Sequence, residues 1–224
     1  MKLDKYKAIL LDVDGTLIDS NQAHALAWRD AFLEFGLAVG ENTIRKKIGM
    51  GGDHLLPSVI GLSNETPLGK KIEKRRGEIF RSTYLPNLKA FPRAAEMLKF
   101  LRSTGKKLIV ATSASEKDYE ALMKQAGLSE LVDGVTNSAD AESSKPDPDI
   151  ILAALKKSKV NHDEALMIGD TPYDVSASNK ATVDIVAFTC GGWSVSELTG
   201  SISVYEGPGA LLDKLQTERP TLGS

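Results

Sequence analysis

The chain is 224 residues long, 42% hydrophobic and 26% charged, with a formal net charge of -2. That composition suits a globular protein of one large domain, or of a core with a smaller insert, and the near-neutral balance argues against general affinity for nucleic acid or an anionic membrane. The single cysteine, Cys190, rules out an internal disulfide and fits a reducing cytoplasm, and no apolar run approaches the roughly 20 residues of a membrane span.

Lys2, Lys5 and Lys7 precede an apolar run, but Asp12 and Asp14 interrupt it. Residues 8–11 (Ala-Ile-Leu-Leu) therefore predict a strand buried on both faces rather than a signal peptide. Asp12 and Asp14 stand at its carboxyl end, and Gly15 breaks it. Alternate side chains share a face of a strand, so the two acids point the same way unless the turn at Gly15 offsets them. Burying unpaired charge is costly, which makes a metal or a phosphoryl group the natural partner of such a pair.

Residues 19–88 predict an all-helical insert. Ala23, Ala27, Phe32 and Phe35 recur at helical spacing, as do Ile72 and Ile79. Trp28, Phe32 and Phe35 read as its core, and the basic segment from Lys70 to Arg76 reads as a solvated helix face. His24, on the first of these helices, is either a surface histidine or a group that positions Asp14 or a substrate. Gly49, Gly51 and Gly52 allow close backbone approach to a ligand, or simply a flexible connection between helices. Asp53 and His54 beside them are substrate contacts or exposed helix-start residues.

Pro86 and Pro92 bracket the return to a strand–helix alternation. Strands are expected at 108–111, 165–168 and 183–187, with shorter ones at 134–136 and 201–205. Gly105 marks a helix end, a helix starts near Glu116, and Pro172 opens another in its first turn. The fold expected is α/β, a doubly wound, mostly parallel sheet with an inserted all-helical unit. Residues 217–224 read as a fraying tail.

Four pieces fall at or beyond strand ends: Asp12/Asp14 with Gly15-Thr16, Thr112-Ser113, Lys145-Pro146, and the run from Gly169 to Asp174 that carries Asp170. Ligands of open parallel sheets sit outside those carboxyl ends, so the four converge. Clustered carboxylates raise one another's pKa, and a divalent cation relieves this; an oxygen donor set suits magnesium. Lys145 and a metal would offset the repulsion between a carboxylate nucleophile and a phosphate dianion. Each piece alone has a plainer reading: Asp-Gly is a common turn, Asp174 and Ser113 suit helix starts, and Lys145 suits solvent. Together, in this order, chance explains them poorly. An EF-hand reading fails because the glycine comes too early and the closing glutamate is missing.

In these motifs the chain resembles the haloacid dehalogenase superfamily, in the phosphatase-like subclass with a small helical (C1-type) cap. The run from Asp12 to Asp19 matches the first motif, Thr112 the second, Lys145 the third, and Gly169-Asp170 with Asp174 the fourth. The resemblance implies a Rossmann-like core of residues 1–18 and 89–224 and a helical cap of residues 19–88. It also implies a magnesium-dependent phosphomonoester hydrolase acting on a small phosphorylated metabolite. By it Asp12 is the nucleophile, Asp14 the general acid/base, and Thr112 and Lys145 hold the phosphoryl group. Mg2+ is held by Asp12, the Asp14 carbonyl and Asp170, with Asp174 a ligand or just behind. Gly15, Ser113, His24, Gly51 and Gly52 are the candidate substrate contacts, and an alternative alignment makes Ser113 the second-motif hydroxyl.

Asp14 disfavours dehalogenation and phosphonate cleavage, since those branches lack that acid. A sugar phosphomutase resembling β-phosphoglucomutase is the alternative, but Gly52 stands in place of its cap arginine and Gly169 in place of its fourth-motif glutamate. A receiver domain lacks the helical insert, and a non-catalytic binding protein would be expected to have lost part of the acidic set. The expected partner is a small metabolite, with neither nucleic acid nor membrane, and the chain a monomer or homodimer in the cytoplasm.

Overall fold

Among the described residues six parallel strands form one sheet in the order β3-β2-β1-β4-β5-β6. They are β1 (Ala8–Leu11), β2 (Lys107–Ala111), β3 (Gly134–Thr136), β4 (Ala165–Gly169), β5 (Asp184–Phe188) and β6 (Ser203–Tyr205). The computed structural model describes residues 3–218. All strand pairs are parallel, so the expected "mostly parallel" sheet is parallel throughout. The expected strand at 183–187 begins one residue later, because the Val183 N–H is spent on the Ser178 carbonyl and cannot join the ladder. β6 begins later than expected for a similar reason: the Ser201 N–H closes a turn onto the Leu198 carbonyl.

The alternation along each strand divides the apolar side chains between two cores. Ile9 and Leu11 of β1, Val110 of β2 and Ile168 of β4 face one side. There they meet α5 (Ala94–Ser103), α6 (Glu116–Gln125) and α9 (Pro208–Thr217) through Leu98, Leu122 and Leu211. Leu10, Ile109, Met167 and Ile185 face the other side and pack on α7 (Asp149–Ser158) and α8 (Pro172–Lys180). A sheet covered on both faces needs apolar side chains at every position, which is why β1 reads as an unbroken hydrophobic run. The chain leaves β1 for β2 and β3 on one side and returns to β4 on the other, so β1 is the switch point of the winding.

Between β1 and α5 lie α1 (Asn21–Glu34), α2 (Glu41–Arg45), α3 (Gly52–Ile60) and α4 (Pro67–Ile79). α4 runs on as a π turn over Phe80–Tyr84 and a 3-10 turn over Leu85–Asn87. Thr66 caps α4 by accepting from the Gly69 N–H, and Pro67 starts it where no N–H is needed. Trp28, Phe32, Leu55, Ile72 and Phe80 are buried, with Phe35 partly buried against them. The two chain segments that join these helices to the sheet run side by side: Asp19 N–H donates to Lys89 O and Phe91 N–H to Leu17 O.

Two expectations need correcting. The basic segment is not uniformly solvated: Lys70 is exposed, but the Arg76 side chain is only 13% exposed and packs inward. Thr217 closes α9 rather than opening a tail, and the rest of that expected tail (219–224) lies outside the described residues. Among the described residues no helix is long and apolar enough to cross a membrane.

Candidate active site

The ladder between β1 and β4 runs one residue past β1, since Asp12 N–H donates to Ile168 O. That fixes Asp12 at the carboxyl edge of the sheet, beside its switch point. The chain then coils tightly: Val13 O receives the N–H groups of Leu17 and Ile18, and Gly15 takes φ +82°, which favours glycine. The coil offsets the two acids. Asp12 turns to Lys145 and Thr16, whereas Asp14 turns to the helical insert.

Lys145 is fully buried. Its Nζ stands 2.7 Å from Asp12 Oδ1 and 2.7 Å from Asp174 Oδ1. Burial alone would depress the lysine's pKa, but the two carboxylates outweigh it and hold the ammonium protonated above the ordinary lysine range. The loop carrying it is fixed at two points: Lys145 N–H donates to Ser113 Oγ at 3.4 Å, and Ser144 N–H to Asp53 Oδ2 at 2.9 Å. Asp53, part-exposed in the first turn of α3, therefore ties the start of that helix to the lysine loop. His54 lies beside the same seam, with Nε2 3.3 Å from Asp147 Oδ2.

Asp14 Oδ1 accepts from Ser20 Oγ and lies 2.8 Å from His24 Nε2. His24 is buried and its ring stacks on Phe80 with centroids 4.0 Å apart, so of its two sequence readings the geometry matches the one that positions Asp14. Burial would push the Asp14 carboxyl up, but the charge of His24, the hydrogen bonds from His24 and Ser20, and the charge of Arg76 together hold it below its ordinary value.

Asp12 behaves in the opposite way. Burial, then the charges of Asp174 and Asp14, push its carboxyl up to about 7 against the pull of Lys145. Burial and the charges of Asp12 and Asp174 push Asp170 well above the ordinary carboxylate range. Thr16 Oγ1 lies 3.2 Å from Asp12 Oδ2 and 2.7 Å from Asp170 Oδ1. A hydroxyl has one proton, so it serves one of these acids at a time. Asp12, Asp170 and Asp174 offer oxygens that all lie within 4.8 Å of one another. Three buried oxygen donors with Lys145 as the cation among them suit a hard divalent cation such as Mg2+.

Within that set the acids differ. Asp174 Oδ2 is the third-residue partner in the capping box of α8, accepting from Thr171 Oγ1 at 2.7 Å and Thr171 N–H at 3.0 Å. Its other oxygen faces Lys145, so Asp174 fits a place behind the metal better than a ligand position. Asp170 is walled by backbone: a Cβ on Gly191 would stand 1.7 Å from Asp170 Oδ2, and one on Gly15 2.3 Å from it. Asn21 Nδ2 donates to the same oxygen at 2.9 Å.

A cavity of about 770 Å³ opens between this sheet edge and the insert. Asp12, Asp14, Thr112 and Ser113 form its floor, while His24, Gly51, Gly52 and Arg76 line the insert side. Gly15 does not line it. Its N–H is donated to Ile18 O and its Cα packs against Asn21 and Asp170, so the expected substrate contact at Gly15 is replaced by a role in shaping the turn. Thr112 Oγ1 accepts from Ala114 N–H at 3.1 Å and Ser113 Oγ from Lys145 N–H at 3.4 Å, so each hydroxyl keeps its own proton to donate.

Sequence reasoning set Thr16 beside the acids without giving it a role and missed Ser20 and Asn21 as their partners, although their closeness to Asp12 in the chain was a usable signal. It also missed Arg76, Arg81 and Asp118, which line the cavity. No local pattern marks those three, because Asp118 meets the arginines only through the fold.

Residues 9–188 match the family described as haloacid dehalogenase-like hydrolase. The chain is 29% identical over 224 residues to the phosphoglycolate phosphatase of Rhodospirillum rubrum, covering 96% of this chain and 92% of that protein. It is 32% identical over 180 residues to the phosphoglycolate phosphatase of Aquifex aeolicus, covering 78% and 81%. The crystal structure of a hydrolase from Pseudomonas syringae superposes with a TM-score of 0.88 at 29% identity, over 96% of this chain and all of that one.

Proposed function

The chain belongs to the haloacid dehalogenase-like hydrolase family, and from that membership we propose a magnesium-dependent phosphomonoester hydrolase that acts on a small phosphorylated metabolite through an aspartyl phosphate on Asp12. One observation supports this above all: Asp12 forms the cavity floor with a fully buried lysine 2.7 Å from its carboxylate, while Asp14 beside it is tied to His24.

In this reading an Asp12 carboxylate oxygen attacks phosphorus and the bond from phosphorus to the leaving oxygen breaks. Lys145 and Thr112 hold the transferring phosphoryl oxygens, and Asp14 gives its proton to the departing alkoxide. Asp14 is ionised in the free site, and the arriving phosphate dianion raises its proton affinity enough to load it. Asp14 then takes a proton from water, the resulting hydroxide attacks phosphorus, and the Asp12–phosphorus bond breaks to release inorganic phosphate. Asp12, the Asp14 carbonyl and Asp170, with Asp174 behind, would hold Mg2+, which would supply the charge that lets Asp12 ionise beside its acidic neighbours.

Residues 19–88 act as a cap over a core of residues 1–18 and 89–224, closing the cavity against bulk water as lids do. Two glycines weigh against phosphomutase chemistry. A Cβ on Gly169 would lie 2.6 Å from Asp174 Cγ, so no acid fits there, and Glu73 Oε1 fills the space a side chain on Gly52 would need. The reading places the protein in the cytoplasm, as a monomer or homodimer, with no nucleic-acid or membrane partner.

The test is magnesium-dependent phosphate release from p-nitrophenyl phosphate by the wild type and by Asp12→Asn. The wild type is expected to turn over and the folded variant to be inactive; turnover by purified Asp12→Asn sinks the mechanism.

A further inference from the structure

Arg76 on α4 and Arg81 in the π turn that continues it both reach to Asp118 in the first turn of α6. Arg76 Nη1 donates to Asp118 Oδ2 at 3.0 Å, and Arg81 Nη1 donates to Asp118 Oδ1. The Asp118 side chain is only 2% exposed, and all three residues line the cavity. A guanidinium carries five N–H donors. Each arginine spends one nitrogen on Asp118, and Arg76 Nε is buried without a partner. The Arg76 guanidinium lies over the Trp28 ring, 5.2 Å from its centroid, which holds it in place.

The cluster thus brings two positive charges to one negative at a cavity wall, with donors to spare. Its charge reaches the reaction centre, since Arg76 is among the groups acting on Asp14. Glu73, one helical turn back on α4, also feels the Arg76 charge, and its carboxyl lies on Gly52. One surplus positive charge hemmed in by acids suits a single monoanion better than a second phosphate dianion. The planar fork of arginine matches a carboxylate.

We propose, resting on the phosphatase reading above, that Arg76 and Arg81 form a subsite for one carboxylate on the leaving group, so that the preferred substrates are small phosphorylated carboxylic acids. The competing role for the cluster is a purely structural tie between the insert and α6.

The test compares kcat/KM with Mg2+ for 2-phosphoglycolate and for 2-hydroxyethyl phosphate, which differ only in carboxylate against hydroxymethyl. A charge-assisted contact predicts a ratio of about tenfold or more in favour of the carboxylate. Arg81→Gln is expected to collapse that ratio, mainly through KM, and Arg81→Lys to restore part of it. Asp118→Asn frees donors and is expected to raise the ratio. A wild-type ratio near one overturns the subsite while leaving the phosphatase reading intact, and so do variants that lower both substrates equally. If the wild type hydrolyses neither substrate nor p-nitrophenyl phosphate, the phosphatase reading falls and takes the subsite with it.

Discussion

Lys145 Nζ stands 2.7 Å from Asp12 Oδ1 across 133 residues of sequence, and both groups are almost wholly removed from water. A second carboxylate, Asp174, is equally close to the same ammonium. The lysine is thus a counter-charge for two acids as well as a candidate phosphate ligand. Breaking a buried ion pair from one side costs more than the pair contributes, because the remaining charge is left without compensation. Lys145→Ala is expected to lose about 3–5 kcal/mol of stability by urea unfolding. Its turnover should fall by about 10²-fold or more through loss of transition-state charge stabilisation. A variant as stable as the wild type would show that the acids are neutral in the folded protein.

His24 acts on Asp14 from the insert's first helix. Without it, Asp14 loses a charge and a hydrogen bond that hold its carboxyl down, and burial then pushes it up. In His24→Phe the basic limb of the kcat/KM profile, where the acid that protonates the leaving group loses its proton, should move to higher pH, and kcat should fall by about tenfold or more, within the usual worth of acid–base catalysis. An unmoved basic limb would separate His24 from Asp14.

The acidic cluster should make the metal-free protein sensitive to pH in an uncommon direction. Asp12 titrates near 7 in the fold and at about 3.9 unfolded. Because the folded value is the higher one, the native state binds the extra proton, and stability falls as pH rises through that interval. In the presence of EDTA the melting temperature should drop between pH 5 and pH 8. Adding Mg2+ should raise it more at pH 8 than at pH 5, because the cation competes with the protons and stabilises by mass action. Asp12→Asn should flatten the EDTA curve. A melting temperature that rises with pH over this window would contradict the assignment.

Gly191 has no room for a side chain. Its Cβ would stand 1.7 Å from Asp170 Oδ2 and 2.7 Å from Asp170 Cβ, and the oxygen it would displace is the one bonded to Asn21. Gly191→Ala is expected to cost about 1–3 kcal/mol by overpacking and to weaken Mg2+ binding measured by calorimetry. Full retention of magnesium affinity would mean that Asp170 can move aside without consequence.

The chain itself determined the strands and their order of use. Residues 8–11 are apolar at every position because the strand is covered on both faces, and that signal is carried by neighbours in sequence. The placement of Asp12, Thr112, Lys145 and Asp170 beyond strand ends followed from the same runs, since parallel strands share one carboxyl edge. The tertiary structure alone decided how tightly each acid holds its proton. Asp12 and Asp14 are two residues apart, yet burial and remote charges push one carboxyl up to about 7 and hold the other down. Likewise the inward face of Arg76 and the loss of Gly15 to its own turn depend on contacts with α6, Ile18 and Asp170. Local periodicity is written in adjacent residues, but a proton affinity is set by every charge within several ångströms, and those charges come from opposite ends of the chain.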